Sequence, residues 1–107
     1  MDIFPEDMCA SCRMAISERL FASQIHTTSG EVYKFDDLGC LENFERRVGK
    51  QAVAAAFVMD YAGQRWLPLA QATIVQTGVR TPMGSGKVAF SDSLQAREFL
   101  QRFPRGG

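Results

Sequence analysis

The feature that most constrains this chain is a pattern that occurs twice, 55 residues apart: Phe35, Asp37 and Phe44 align with Phe90, Asp92 and Phe99. In each copy a strand-forming run ends on phenylalanine, an acidic residue follows, and a second phenylalanine lies one helical face below. A short acidic side chain can accept the free amide hydrogens at a helix start, so the pattern specifies a strand–cap–helix junction. Upstream of the first junction, residues 21–28 alternate, with Phe21, Ser23, Ile25 and Thr27 on one face. Val32, Tyr33 and Phe35 resume after Ser29-Gly30, which predicts a β-hairpin. Asp36 or Asp37 then caps a helix running to about Val48. Leu38, Leu41, Phe44 and Val48 form its apolar stripe and Gly49 ends it. Val53 to Met59 reads as a buried strand or a short buried helix.

The second half repeats the plan. Thr73–Gln76 and Lys87–Phe90 read as strands on either side of a glycine-rich loop, Thr81-Pro82-Met83-Gly84-Ser85-Gly86. A helix capped by Ser91 or Asp92 follows, through Phe103, with no closing strand after it. The expected fold is α+β: two homologous β-β-α(-β) units packed together, produced by internal duplication. Residues 1–8 are expected to be a disordered lead-in, 9–62 the first β-β-α-β unit and 63–107 the second β-β-α unit. Trp66, followed by Leu67-Pro68-Leu69, is expected to pack between the halves.

Composition narrows the function classes. With 107 residues the chain can bury a core without staples. Twelve Lys+Arg balance twelve Asp+Glu, which argues against nucleic acid as the main partner. Arg97, Arg102 and Arg105 read as a solvated helix face and tail. The longest apolar run, Val53 to Met59, is far below the ~18 residues of a spanning helix, so no membrane insertion is expected. No signal peptide or lipidation cysteine is evident, which leaves a cytoplasmic location open. Three cysteines fit a metal site or reactive thiol better than a framework of disulfides.

Cys9-Ala10-Ser11-Cys12-Arg13-Met14 places three sulfur side chains in six residues. The two-residue gap lets both thiolates reach one ion, and Met14 adds a neutral thioether. Thiolate with thioether selects Cu(I) over harder ions. Cys40 lies at the start of the first helix, where the helix dipole favours an anion and the neighbouring Asp36 and Asp37 oppose one. Met83 sits between Pro82 and Gly84 in a polar loop, an unusual place for a core methionine. The ordinary readings are that Cys40 and Met83 pack in the core and that Asp36-Asp37 is a helix cap. His26, on the strand face of Gln24 and Thr28, is expected to be exposed or half-exposed. The candidate metal ligands are therefore Cys9, Cys12, Met83, Met14 and Cys40. A zinc site on Cys9, Cys12, Cys40 and His26 is the alternative. A thiol-dependent enzyme needs an acid beside two thiols, for which Asp36 or Asp37 would serve. No other catalytic constellation stands out.

Four motifs occur in order: Cys-x-x-Cys-x-Met (9–14), Phe-Asp-Asp-x-Gly-Cys (35–40), Trp-Leu-x-x-x-x-Ala (66–72) and Thr-Pro-Met-Gly-x-Gly-x-x-Ala-Phe (81–90). Together they resemble the NosL family of nitrous oxide reductase accessory proteins, over residues 9–103. The resemblance implies a Cu(I)-binding metallochaperone of the bacterial cell envelope or periplasm, often a lipoprotein, and not an enzyme. It implies a client copper enzyme, such as nitrous oxide reductase, and a membrane copper transport component as partners. It also implies two β-β-α-β units distantly similar to part of organomercurial lyase, and carries ligand roles onto Cys9 or Cys12 and onto Met83. Arg13 stands where the family has glycine. It restricts the turn to φ < 0 and places a cation beside the thiols.

Overall fold

A computed structural model of the chain describes residues 9–10 and 19–104. The expected lead-in, Cys12, Arg13, Met14 and Arg105 lie outside these residues. Among the described residues, six strands and two α-helices occur in the order β1 (Ser23–Thr27), β2 (Val32–Phe35), α1 (Leu38–Val48), β3 (Val53–Met59), β4 (Trp66–Pro68), β5 (Thr73–Gln76), β6 (Lys87–Phe90) and α2 (Ser93–Arg102). The class is α+β, and Val53–Met59 is a strand.

Alternation along β1 and β2 closes them into an antiparallel hairpin with Ile25 opposite Tyr33 and Ser23 opposite Phe35. β1 also pairs antiparallel with β3, with a register irregularity between His26 and Thr27. β3 pairs with β4 through Val58 and Leu67, giving the sheet order β2-β1-β3-β4. β5 and β6 form a separate antiparallel pair with Thr73 opposite Phe90. The backbone beyond β3 joins the two sheets: Asp60 bridges to Ala89 in parallel, and the Tyr61 amide donates to the Ala89 carbonyl at 2.9 Å.

The two strand–cap–helix junctions match in detail. Asp37 caps α1 by accepting from the Gly39 amide, and Asp92 caps α2 by accepting from the Leu94 amide. Phe35 meets Phe44 with ring centroids 5.3 Å apart, and Phe90 meets Phe99 at 5.4 Å. Of the two acidic residues in the first copy, Asp37 is thus the cap and Asp36 is left for another role.

Three apolar clusters follow. Ala22, Ile25, Phe35, Cys40, Leu41 and Phe44 pack α1 onto the first sheet, together with Cys9. Val88, Phe90, Ala96 and Phe99 pack α2 onto the second. Leu38, Val58, Leu67 and Ala89 form the cluster between them. Trp66, expected between the halves, packs against the first cluster instead, and its neighbour Leu67 takes that place. The reason is strand alternation: neighbours on β4 face opposite sides.

Phe35 is fully buried at the centre of the first cluster, while Val32 on the same strand is 48% exposed. Phe35→Ala is expected to lower unfolding free energy by about 3–5 kcal/mol. Val32→Ala is expected to change it by less than about 0.5 kcal/mol. Urea unfolding followed by circular dichroism measures both.

Candidate metal centre

The centre is built around the N-terminus of α1. A helix leaves its first amide hydrogens without internal partners, and here one side chain collects them along with an entire loop. Oδ1 of Asp37 accepts from the Gly39 amide at 2.8 Å and from the Ser85 hydroxyl. Oδ2 accepts from the Thr81 hydroxyl at 2.6 Å and from the Met83 amide at 2.9 Å. Asp37 is completely buried. Burial by itself raises the pKa of its carboxyl. Hydrogen bonds from Ser85, Thr81, Gly39 and Met83 together outweigh that effect and hold the pKa below its ordinary value.

The loop is shaped to meet that carboxylate. Residues 77–86 connect β5 to β6, against residues 28–31 in the first hairpin. The Thr77 amide donates to the Gly86 carbonyl at 2.7 Å, closing the loop at its base. The Gly86 amide in turn donates to the Thr81 hydroxyl at 3.1 Å, which aims that hydroxyl's own proton at Asp37. Gly86 has φ +71°, and a Cβ there would lie 2.3 Å from the Thr77 carbonyl oxygen, so only glycine fits. Across the interface, a Cβ on Gly39 would lie 3.1 Å from the Cβ of Ser85, which shows how closely the loop approaches the helix. Lys87 and Glu42 add an ion pair between β6 and α1. The outcome is that Met83 sits on a rigid loop, its backbone bonded to the cap residue of α1, with 48% of its surface exposed.

Two thiols converge at the same end of α1. Cys40 lies in the first turn of α1, its amide donating to the Asp37 carbonyl at 3.0 Å. Cys9 is brought to β2 by its neighbour, whose Ala10 amide donates to the Lys34 carbonyl at 2.8 Å. Cys9, Cys40 and Asp36 are all buried, and their ligating atoms lie within 4.8 Å of one another. The Cys40 thiol points at Oδ1 of Asp36 at 3.7 Å. Both thiols also belong to the apolar cluster under α1, so two soft donors and one carboxylate share a buried position that could hold a metal ion.

Of the residues singled out in the sequence, Cys9 and Cys40 meet, Met83 is tied to the same helix end, and Cys12 and Met14 fall outside the described residues. His26 goes elsewhere. Its Nε2 lies 2.8 Å from the Gln24 side-chain oxygen, and its ring packs edge-on against Phe57. It is not in the Cys9–Asp36–Cys40 group, so that group lends nothing to a zinc site using histidine. Asp36 is the residue that sequence reasoning assigned elsewhere, as a cap or an acid. The signal was its spacing of four from Cys40, which places the two side chains in reach across the helix start.

Asp37→Asn keeps the size of the cap but removes the charge that four donors share. It is expected to lower stability by about 2–3 kcal/mol at neutral pH. The pH dependence has a fixed sign. The folded pKa lies below the ordinary value of 3.8, so the charged-state contribution is complete above that value. It is lost as pH falls through the folded pKa. Wild-type and Asp37→Asn stabilities are therefore expected to converge on acidification below about pH 4, as read by urea midpoints across pH.

Comparison with known proteins places this geometry. The sequence matches the NosL family over residues 1–107. No curated protein sequence matches it significantly. The fold is similar to the crystal structure of the copper chaperone NosL from Shewanella denitrificans, with a TM-score of 0.87 and 19% sequence identity. That similarity covers 96% of this chain and 86% of the other. With a family match running its full length and a fold superposing on a solved NosL, the chain belongs to the NosL family.

Proposed function

We propose that this protein is a metallochaperone that binds copper as Cu(I) and hands it to a copper enzyme. The observation that carries the reading is the convergence of soft donors on one end of α1. Two cysteine sulfurs lie within 4.8 Å of each other, and a methionine is fixed on a loop hydrogen-bonded to that same helix end. Cys9, Cys12 and Met83 form the proposed ligand set, with Met14 and Cys40 as further donors. Thiolates and thioethers are the ligands that favour Cu(I). The solved relative of the same fold is named a copper chaperone.

The division of burial suits a carrier. Thiolates held in the interior keep the ion, while an exposed thioether on Met83 is the donor an incoming ligand can displace. Release then proceeds by ligand exchange, without unfolding. The proposed client is a copper enzyme such as nitrous oxide reductase, with a membrane copper transport component as supplier and the periplasmic side of the cell envelope as the location. No helix among the described residues is long and apolar enough to cross a membrane. Membership of the family sets aside the lyase alternative.

A second reading rests on Asp36. A carboxylate oxygen beside two thiols is a harder donor than Cu(I) needs and suits Zn(II), which accepts sulfur and oxygen together. In that case the metal is structural, chelation lowers the melting temperature, and Met83 does not affect affinity.

Competition against a chromogenic Cu(I) chelator separates the two. Met83→Ala is expected to weaken Cu(I) binding roughly ten-fold, about 1.4 kcal/mol. The Cys9→Ala/Cys12→Ala double variant is expected to abolish it. Unchanged affinity in the double variant would overturn the copper assignment. X-ray absorption of the loaded protein would report metal identity together with the sulfur and oxygen ligand count.

A further inference from the structure

We infer that Cys9 and Cys40 are a redox couple: a hydroperoxide converts them into a disulfide that closes the metal site. The expected partner of Cys9 on oxidation is thus a residue 31 positions away, and not Cys12 within its own C-x-x-C.

The two sulfurs already lie within 4.8 Å of each other, and the two cysteines are not joined in a disulfide. A disulfide needs about 2.05 Å between sulfurs, so they must approach by at most about 2.7 Å. Cys40 is fixed in the first turn of α1 by its amide bond to the Asp37 carbonyl, and Cys9 is fixed beside β2 through Ala10. The two anchors come from different elements, so the bond would staple the segment at residues 9–10 onto the helix. Burial restricts which oxidant can act. Cys9 is 0% and Cys40 4% exposed, which disfavours bulky disulfides and leaves small peroxides as the fitting class.

The chemistry balances without any further reagent. One cysteine sulfur attacks the peroxide, forming an S–O bond as the O–O bond breaks, and one molecule of water (or alcohol) leaves. The second sulfur attacks the resulting sulfenic sulfur, the S–S bond forms, the S–O bond breaks and a water leaves. Two thiols are oxidised, one peroxide is reduced, and both thiol protons end in the departing molecules. A metal held by these sulfurs blocks the reaction, and a completed disulfide removes both thiolates from the site. Oxidation and metal loading are then mutually exclusive. That last consequence rests on the proposed metal binding; the disulfide itself does not.

Trypsin makes the test simple, because Cys9 and Cys12 fall in the peptide covering residues 1–13 and Cys40 in the peptide covering residues 35–46. Metal-free full-length protein is treated with hydrogen peroxide, alkylated and mapped without reduction. The expected result is a cross-link between these two peptides, retained in Cys12→Ser and absent in Cys9→Ser. An internal Cys9–Cys12 loop, or full alkylation of all three thiols, would overturn the couple. The oxidised protein is also expected to lose at least ten-fold in Cu(I) affinity and to regain it with a thiol reductant. A cross-link with unchanged Cu(I) affinity would overturn the closing of the site. Failure of the reduced protein to bind Cu(I) counts against the proposed function and leaves the peptide map decisive for the disulfide.

Discussion

The carboxylate of Asp37 is the interaction on which the rest of this structure depends. Four donors from two parts of the chain converge on one buried anion, and each does a separate job. The Gly39 amide starts the helix. The Thr81 and Ser85 hydroxyls fix the two arms of the loop. The Met83 amide sets the position of the residue proposed to touch metal. A buried carboxylate without such partners would be strongly destabilising, whereas a fully satisfied one specifies a single arrangement. The charge thus converts a flexible glycine-containing loop into a fixed wall of the site. A neutral asparagine in its place could still cap the helix, but it would offer one acceptor oxygen where the loop requires two.

Much of the fold was legible because it is written in local signals. Aspartate before a 3.6-residue apolar stripe and glycine after it place α1, and the same aspartate start signal places α2, which stops before Pro104. The Phe35–Phe44 and Phe90–Phe99 spacings anticipate ring contacts of nearly equal length, since both depend only on a strand end facing the first turns of its helix. The candidate site was legible only in part. Cys40 and Met83 were visible as unusual placements, but neither was tied by spacing to Cys9. Their juxtaposition depends on how a hairpin, a helix and a loop stack in three dimensions, which no local pattern encodes. Asp36 was hidden for a further reason. Two adjacent aspartates before a helix both read as caps, and only the backbone decides that the second takes the role and frees the first to face the thiols.

Burial and exposure divide the proposed site into functions that a single donor could not combine. Cys9 and Cys40 have little access to solvent, which favours retention of a bound ion and discourages adventitious alkylation or exchange. Met83 is half exposed and neutral, so a competing ligand can approach it without first separating buried charges. Asp36 adds a harder donor and a proton acceptor beside Cys40. A thiol pair this close is useful to a metal and vulnerable to oxidation for the same reason, namely that two polarizable sulfurs have been brought within reach of one centre.

The two strand–cap–helix junctions differ at the positions of the thiol and the extra carboxylate. At the offset of 55 residues, Cys40 corresponds to Gln95 and Asp36 to Ser91, so the second helix start carries no thiol and no second carboxylate. Asp92 is exposed and caps α2 through the Leu94 amide, while Asp37 is buried beneath a loop. The loops differ in the opposite sense, for residues 77–86 form the long connection and residues 28–31 the short one. The start of α1 and the loop before β6 thus meet through Asp37. The cluster of Leu38, Val58, Leu67 and Ala89, which joins α1 and the first sheet to β6, therefore does more than complete a core. By fixing the distance between α1 and β6, it sets whether the loop reaches Asp37 at all.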